Sequence, residues 1–215
     1  MNITILYGHP YDKSFNKAIL DQVTSHLEKR GATVKVKDLV QMSFDPAMGL
    51  KDLEAKVTKI LPAEIVSEQE DLEWMDAIII IAPVWWGGLP ALIKGYIDRV
   101  FTTALIRSPQ GVYGLEGKRA YTLFTTGSSE DYVRISRQKE MLEAANDNLF
   151  GFAKFSDAEI KIFYSVPRVT LEQRQTMLVE ATEFVDRIFD LRPGEGGSTK
   201  NSLAIQALEN DLTKH

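Results

Sequence analysis

The chain contains no cysteine. Disulfides, thiolate metal sites, cysteine nucleophiles and cysteine-ligated iron–sulfur clusters are therefore excluded. Histidine is scarce: His9, His26 and His215 are scattered along the chain, a poor ligand set for a metal hydrolase, and no metal is expected. No apolar run approaches the roughly 20 residues of a membrane span. The opening MNITILYGHP is too short and too weakly charged for a signal peptide. With no cysteine to mark a secreted protein, a soluble, cytoplasmic protein is expected. Positive charge is in deficit, and a net charge of −5 argues against nucleic acid as the main partner. G-x-G-x-x-G is absent, so the standard dinucleotide fingerprint is missing.

What is present is an ordinary globular composition over 215 residues, enough for one domain with a large core. The chain is organised around Asp76 to Phe101, DAIIIIAPVWWGGLPALIKGYIDRVF. Ala77 to Ala82 is wholly apolar and Ile-rich, which predicts a strand buried on both faces of a parallel sheet. Leu89 to Phe101 predicts a helix, with Leu92, Ile93, Tyr96, Ile97 and Val100 on its buried face. Between them, Pro83-Val84-Trp85-Trp86-Gly87-Gly88 forms a loop at the strand's carboxyl end, where ligands bind in open α/β sheets. The two indoles are either plain core or interface residues or a platform for a flat ring. Adjacent residues of an extended segment point opposite ways, so one indole could anchor the loop while the other faces a ligand.

The rest of the chain alternates strands and helices. Asn2 to Gly8 reads as a first buried strand, followed by a loop and a helix from Ser14, a candidate N-cap, to about Arg30, with Gly31 as its stop. His9, Ser14 and Asn16 offer imidazole, hydroxyl and amide groups at that helix start, where a phosphate would find free N–H groups. Thr33 to Leu39 alternates like an edge strand. Phe44-Asp45-Pro46 and the KDLEAK stretch read as a connecting segment. Pro62 to Met75 reads as a helix whose acids, Glu64, Glu68, Glu70, Asp71 and Glu73, form a solvated face. Thr102 to Lys118 is a long loop expected to border a site, with Arg107 or Tyr113 as substrate contacts. Arg119 to Phe124 is a fourth strand, ending in Thr125-Thr126-Gly127-Ser128-Ser129, either a plain turn or a loop whose N–H groups serve a ring edge. Arg134 to Phe150 reads as one helix, Ala158 to Tyr164 as the fifth strand. Thr170 with Gln173 is a capping box opening the last helix. Arg192-Pro-Gly-Glu-Gly-Gly-Ser-Thr then breaks the structure, giving a domain over 1–191 and a tail over 192–215 that docks on a partner subunit or frays. The alternation gives an α/β fold, five parallel strands in a doubly wound sheet with helices on both faces, for which the flavodoxin-like order 2-1-3-4-5 is one topology. In that order the loops after strands one, three and four meet at one edge.

P-V-W-W-G-G-L-P-A-L-I-K-G-Y-I-D-R-V-F resembles the signature of the NAD(P)H:quinone oxidoreductase family, flavoproteins of flavodoxin-like fold. H-P-x-x-x-S-F-N, with His9, Pro10, Ser14, Phe15 and Asn16, resembles that family's flavin phosphate loop. Thr125, Thr126, Gly127 and Ser128 resemble its T-T-G-G loop, Ser128 replacing the second glycine. The resemblance implies a bound flavin, FMN or FAD, and NADH or NADPH as co-substrate. The backbone of Pro83, Val84, Trp85, Trp86 and Gly87 would contact the ring, with an indole walling the pocket. Electrons would pass to a quinone or similar flat acceptor by ping-pong kinetics in a homodimer. Mammalian-type members pair a Tyr with a His after T-T-G-G. Tyr132 stands in about the right place as a catalytic candidate, and no nearby His accompanies it. A flavodoxin-type electron carrier, or a regulatory subunit with a membrane-protein partner, are the alternatives.

Overall fold

The computed structural model describes residues 1–58, 60–101 and 115–190. The chain order is β1 (Asn2–Tyr7), α1 (Phe15–Lys29), β2 (Thr33–Asp38), α2 (Leu50–Thr58), α3 (Ala63–Trp74), β3 (Ala77–Pro83), α4 (Ala91–Val100), β4 (Arg119–Thr125), α5 (Glu130–Ile135), α6 (Gln138–Phe152), β5 (Asp157–Phe163) and α7 (Leu171–Asp190). The strands form one sheet in the order β2-β1-β3-β4-β5, all pairs parallel. This is the doubly wound topology expected from the sequence, with its switch point between β1 and β3.

The apolar run of β3 feeds both faces. Ile78, Ile80 and Ala82 enter the core shared with α3, α4 and α6, beside Ile65, Leu72 and Ile93. Ala77, Ile79 and Ile81 enter the opposite core under α1 and α7, beside Ile19, Val23 and Val185. Alternation along a strand makes this division, and each such isoleucine contributes about 1.5–3 kcal/mol by leaving water. Register sets the site's geometry: Pro83 lies opposite Thr125, so the loops after β3 and β4 leave the sheet at one level.

Several local readings are borne out. Ser14 caps α1 by accepting from the Lys17 N–H at 3.1 Å. Thr170 and Gln173 cap α7 reciprocally, at 2.8 and 3.2 Å. Others need correction. KDLEAK lies within the helix α2. The single helix expected from Arg134 is two, α5 and α6, broken at Arg137, whose φ is +60°. The acids of α3 are not one solvated face. Glu68 is buried, accepts from the Tyr96 hydroxyl at 3.0 Å and pairs with Lys37 at 3.1 Å. Asp71 pairs with both Lys35 and Lys37, and Glu64 with Arg99. Arg107, Tyr113 and the tail lie outside the described residues.

The segment after β2 is clamped onto α4. Arg99 donates to both oxygens of buried Asp52, at 3.1–3.2 Å, and to the Asp45 carbonyl at 2.8 Å. Burial alone would raise the Asp52 carboxyl, but the Arg99 guanidinium and the Gly49 N–H hold it below its ordinary 3.8. Burial likewise opposes ionisation of Asp71, and Lys35 and Lys37 outweigh it. Both folded values are depressed, so their contribution is complete above the unfolded value and lost as pH falls through the folded ones. Thermal melts should show the melting temperature dropping from about pH 5 downward. A melting temperature flat across that acid range would contradict the pairing.

Candidate active site

Three loops meet at the carboxyl edge of the sheet. The first follows β1. Burial pushes the Tyr7 phenol up, so it stays a neutral O–H, 3.5 Å from the Ser14 hydroxyl. An α-helix leaves its first N–H groups without intrahelical acceptors. Here Ser14 satisfies that of Lys17, while those of Phe15 and Asn16 precede it. No acid lies in the first turn of α1. The side chains of this loop divide. Phe15 packs against the core beneath α1. Asn16 is buried, its amide nitrogen 2.9 Å from the Thr125 hydroxyl, which ties this loop to the end of β4. His9 Nδ1 accepts from the Tyr11 N–H at 3.1 Å.

The second loop is a tight hairpin. Val84 extends the pairing of β3 by donating to the Thr125 carbonyl at 2.8 Å. Trp85 and Gly88 then exchange N–H···O bonds of 3.0 and 3.1 Å around Trp86 and Gly87, whose φ values are +50° and +82°. Two central residues at positive φ are the signature of a type I′ turn. The extended reading of the tryptophan pair is thereby corrected. Trp85 is half-exposed and tilts against the His9 ring at 6.1 Å, so the first two loops touch. Trp86 is fully exposed at the tip. A bulky side chain at positive φ is strained, and such strain persists only where the surroundings impose it.

The third loop follows β4. Thr126 N–H donates to the Phe163 carbonyl at 2.9 Å, and the Thr126 hydroxyl accepts from the Ser128 N–H at 3.1 Å. Arg168 holds the Gly127 carbonyl at 2.7 Å. Ser129 caps α5 through the Tyr132 N–H at 3.3 Å, which places Tyr132 over the loop, more than half exposed.

Between hairpin and α5 lies a hollow of about 450 Å³, lined by Val84, Trp86, Gly87, Thr126, Ser128 and Tyr132. Six residues singled out in the sequence therefore surround one space. Pro83 and Thr125 lie buried at the strand ends beneath it, and the first loop lies on the other side of the hairpin. Ser136, Gln138 and Met141 also line the hollow and were missed. They arrive through the break at Arg137, a non-glycine residue at positive φ that no turn dipeptide announces. Among the described residues no cluster of His, Asp and Glu could hold a metal ion, and no helix is long and apolar enough to cross a membrane.

A family model described as flavodoxin-like fold matches residues 1–185. The mouse ribosyldihydronicotinamide dehydrogenase (quinone) is 31% identical, over 89% of this chain and 93% of its own. An uncharacterised NAD(P)H oxidoreductase of Haemophilus influenzae is 27% identical, over 85% and 93%. Among solved structures, the NAD(P)H:quinone oxidoreductase of Methanothermobacter marburgensis superposes with a TM-score of 0.78 at 25% identity, covering 89% of this chain and 98% of that one.

Proposed function

Since the chain belongs to the NAD(P)H:quinone oxidoreductase family of flavodoxin-like fold, we propose that it is a flavoprotein that takes electrons from NADH or NADPH and delivers them to a quinone or similar flat acceptor. The observation carrying this reading is the hollow between the hairpin after β3 and the loop after β4, lined by Trp86 and Tyr132 and by Val84, Gly87, Thr126 and Ser128. The donor set suits a flavin. The acid-free start of α1, with Ser14 and the N–H groups of Phe15 and Asn16, would take its phosphate. The backbone of Pro83 to Gly87 and of Thr125 to Ser128 would hold the ring system. A flavin, when bound, supplies hydride and electron transfer that no side chain here can perform.

The chain's own residues position and shield. The Trp86 indole offers a flat apolar face to nicotinamide or quinone in turn, so donor and acceptor share one space. Initial-rate plots should therefore be parallel. Among the described residues no histidine pairs with Tyr132, and its hydroxyl acts by donating a hydrogen bond to the acceptor oxygen as charge develops there. Tyr132→Phe is expected to lower kcat by about tenfold or more with flavin content unchanged. An unaltered kcat would remove the role. Trp86, Tyr132 and Met141 are exposed side chains lining the hollow, and a second copy covering them would make a homodimer. Light scattering should then return twice the 24.2 kDa chain mass.

The visible spectrum of the purified protein, titrated anaerobically with NADH and then NADPH, tests the whole reading. A flavin spectrum that bleaches supports it, and mass spectrometry of the released group decides between FMN and FAD. A protein that stays colourless after incubation with both flavins overturns it. A bound flavin that neither nucleotide reduces overturns the enzyme and favours an electron carrier.

A further inference from the structure

Along a parallel strand, successive carbonyls point to opposite neighbours. At the end of β4 this alternation breaks. The Thr125 carbonyl accepts from the Val84 N–H at 2.8 Å, on the β3 side. The Thr126 carbonyl accepts from the Val166 N–H at 3.0 Å, on the β5 side. Continued alternation would return the Gly127 carbonyl to the β3 side, where Val84, Trp86 and Gly87 line the hollow. It stays on the β5 side instead, where Arg168 Nη1 donates to it at 2.7 Å. The Ser128 carbonyl follows, accepting from the Ser165 N–H at 2.9 Å. One loop after β5 thus takes three carbonyls in a row. A tight turn brings Arg168 within reach: Ser165 has a φ of +52°, and its carbonyl accepts from the Arg168 N–H at 2.7 Å.

A trans peptide holds its N–H opposite its C=O. With these carbonyls fixed toward β5, the N–H groups of Gly127, Ser128 and Ser129 point away from it, to the side of the hollow. The Ser128 N–H also meets the Thr126 hydroxyl at 3.1 Å. Such a row of backbone donors suits an electron-rich or anionic group. Gly127 does not choose this arrangement, because glycine accepts either orientation at little cost. Backbone N–H groups make two of the three holding contacts. Arg168 makes the third, at the length of a charge-assisted hydrogen bond.

We propose that Arg168 is a positioning residue, which holds the Gly127 carbonyl toward β5 and so keeps the Gly127–Ser128 peptide from turning an acceptor into the hollow. The side chain is exposed and acts through Gly127. What the donors serve rests on the flavoprotein reading above. There they face the ring edge that gains electron density on reduction, so Arg168 favours the reduced flavin over the oxidised one.

Two measurements separate the clamp from its use. The first needs no flavin: hydrogen exchange of the flavin-free protein, read by mass spectrometry on peptides spanning 125–130 and 163–169. Arg168→Leu should speed exchange there about tenfold, the effect of losing one hydrogen bond to a charged group. Arg168→Lys should return most of the protection, because a cation of similar reach can still meet one carbonyl. The second is the midpoint potential of the bound flavin, which a merely structural contact would not move. Arg168→Leu should lower it by about 30 mV, a tenfold loss of preference for the reduced form in a two-electron couple. Arg168→Lys should restore it. Unchanged exchange in Arg168→Leu overturns the clamp. Faster exchange with an unchanged potential overturns the role toward the flavin. A lysine that restores neither quantity assigns the effect to lost packing and overturns the proposal as well. A wild type that binds no flavin sinks the flavoprotein reading, and with it the effect on potential, while the exchange result still decides the clamp.

Discussion

Gly95→Ala should destabilise the protein by about 3 kcal/mol, the upper part of the overpacking range, although helix propensity favours it. In an exposed helix interior that change stabilises by about 1 kcal/mol. Gly95 is not exposed: α4 crosses the segment after β2 so closely that an added Cβ would lie 2.3 Å from the Pro46 carbonyl oxygen and 2.7 Å from its Cα. Neither atom is the end of a flexible chain. Pro46 has a fixed φ, and its neighbours are held by the Arg99 bond to Asp45 and by Phe44, whose ring packs tilted against Tyr96 at 5.2 Å. Sterics therefore outweigh propensity. At this chain length the melting temperature should fall by roughly 6–12 °C. A melting temperature that holds or rises would mean the segment gives way at no cost. The glycine of K-G-Y thus has a packing reason, and it bears on the site, because α4 begins just behind the hairpin.

The same contacts explain what could be read from the sequence. Ile78 to Ile81 announced two-sided burial because a strand's period is two and no polar residue interrupts it. Ser14 and the Thr170–Gln173 pair announced helix starts because capping is local, spanning three residues. Glu68 did not announce its burial: its partners, Lys37 and Tyr96, are 31 and 28 residues away, and a helix of acids looks solvated until the sheet brings a lysine-bearing edge strand beneath it. Asn16 looked like a phosphate ligand for a similar reason. Its side chain turns inward to Thr125, 109 residues on, and so it aligns two loops of the site. The loops themselves were legible by their place at strand ends. Their conformations were not: Trp-Gly is not a usual type I′ dipeptide, and Arg137 at positive φ carries no glycine or asparagine to mark it.

Trp86 tests whether the strained turn belongs to function, and the expected effects on stability and activity have opposite signs. Trp86→Gly removes a side chain that is fully exposed and buries nothing. It also removes the cost of holding a bulky residue at φ +50°, of order 1–2 kcal/mol. Against that, glycine adds about 0.4–1 kcal/mol of freedom to the unfolded chain. The net change should be a stabilisation of about 0.5–1 kcal/mol, seen as a small rise in melting temperature. Activity should move the other way. The indole is the aromatic wall of the hollow facing Tyr132, and a ring stacked there is worth about 1–3 kcal/mol. The loss in kcat/KM for both nucleotide and quinone should therefore be about tenfold to a hundredfold. Flavin content should persist, because the backbone of the hairpin, kept by Gly-Gly, remains to hold the ring. A variant that is stabilised and fully active would assign the strain to no function and return Trp86 to the surface. A variant that loses stability would show that the indole packs on a surface the isolated chain does not reveal, which a second copy covering the mouth would supply.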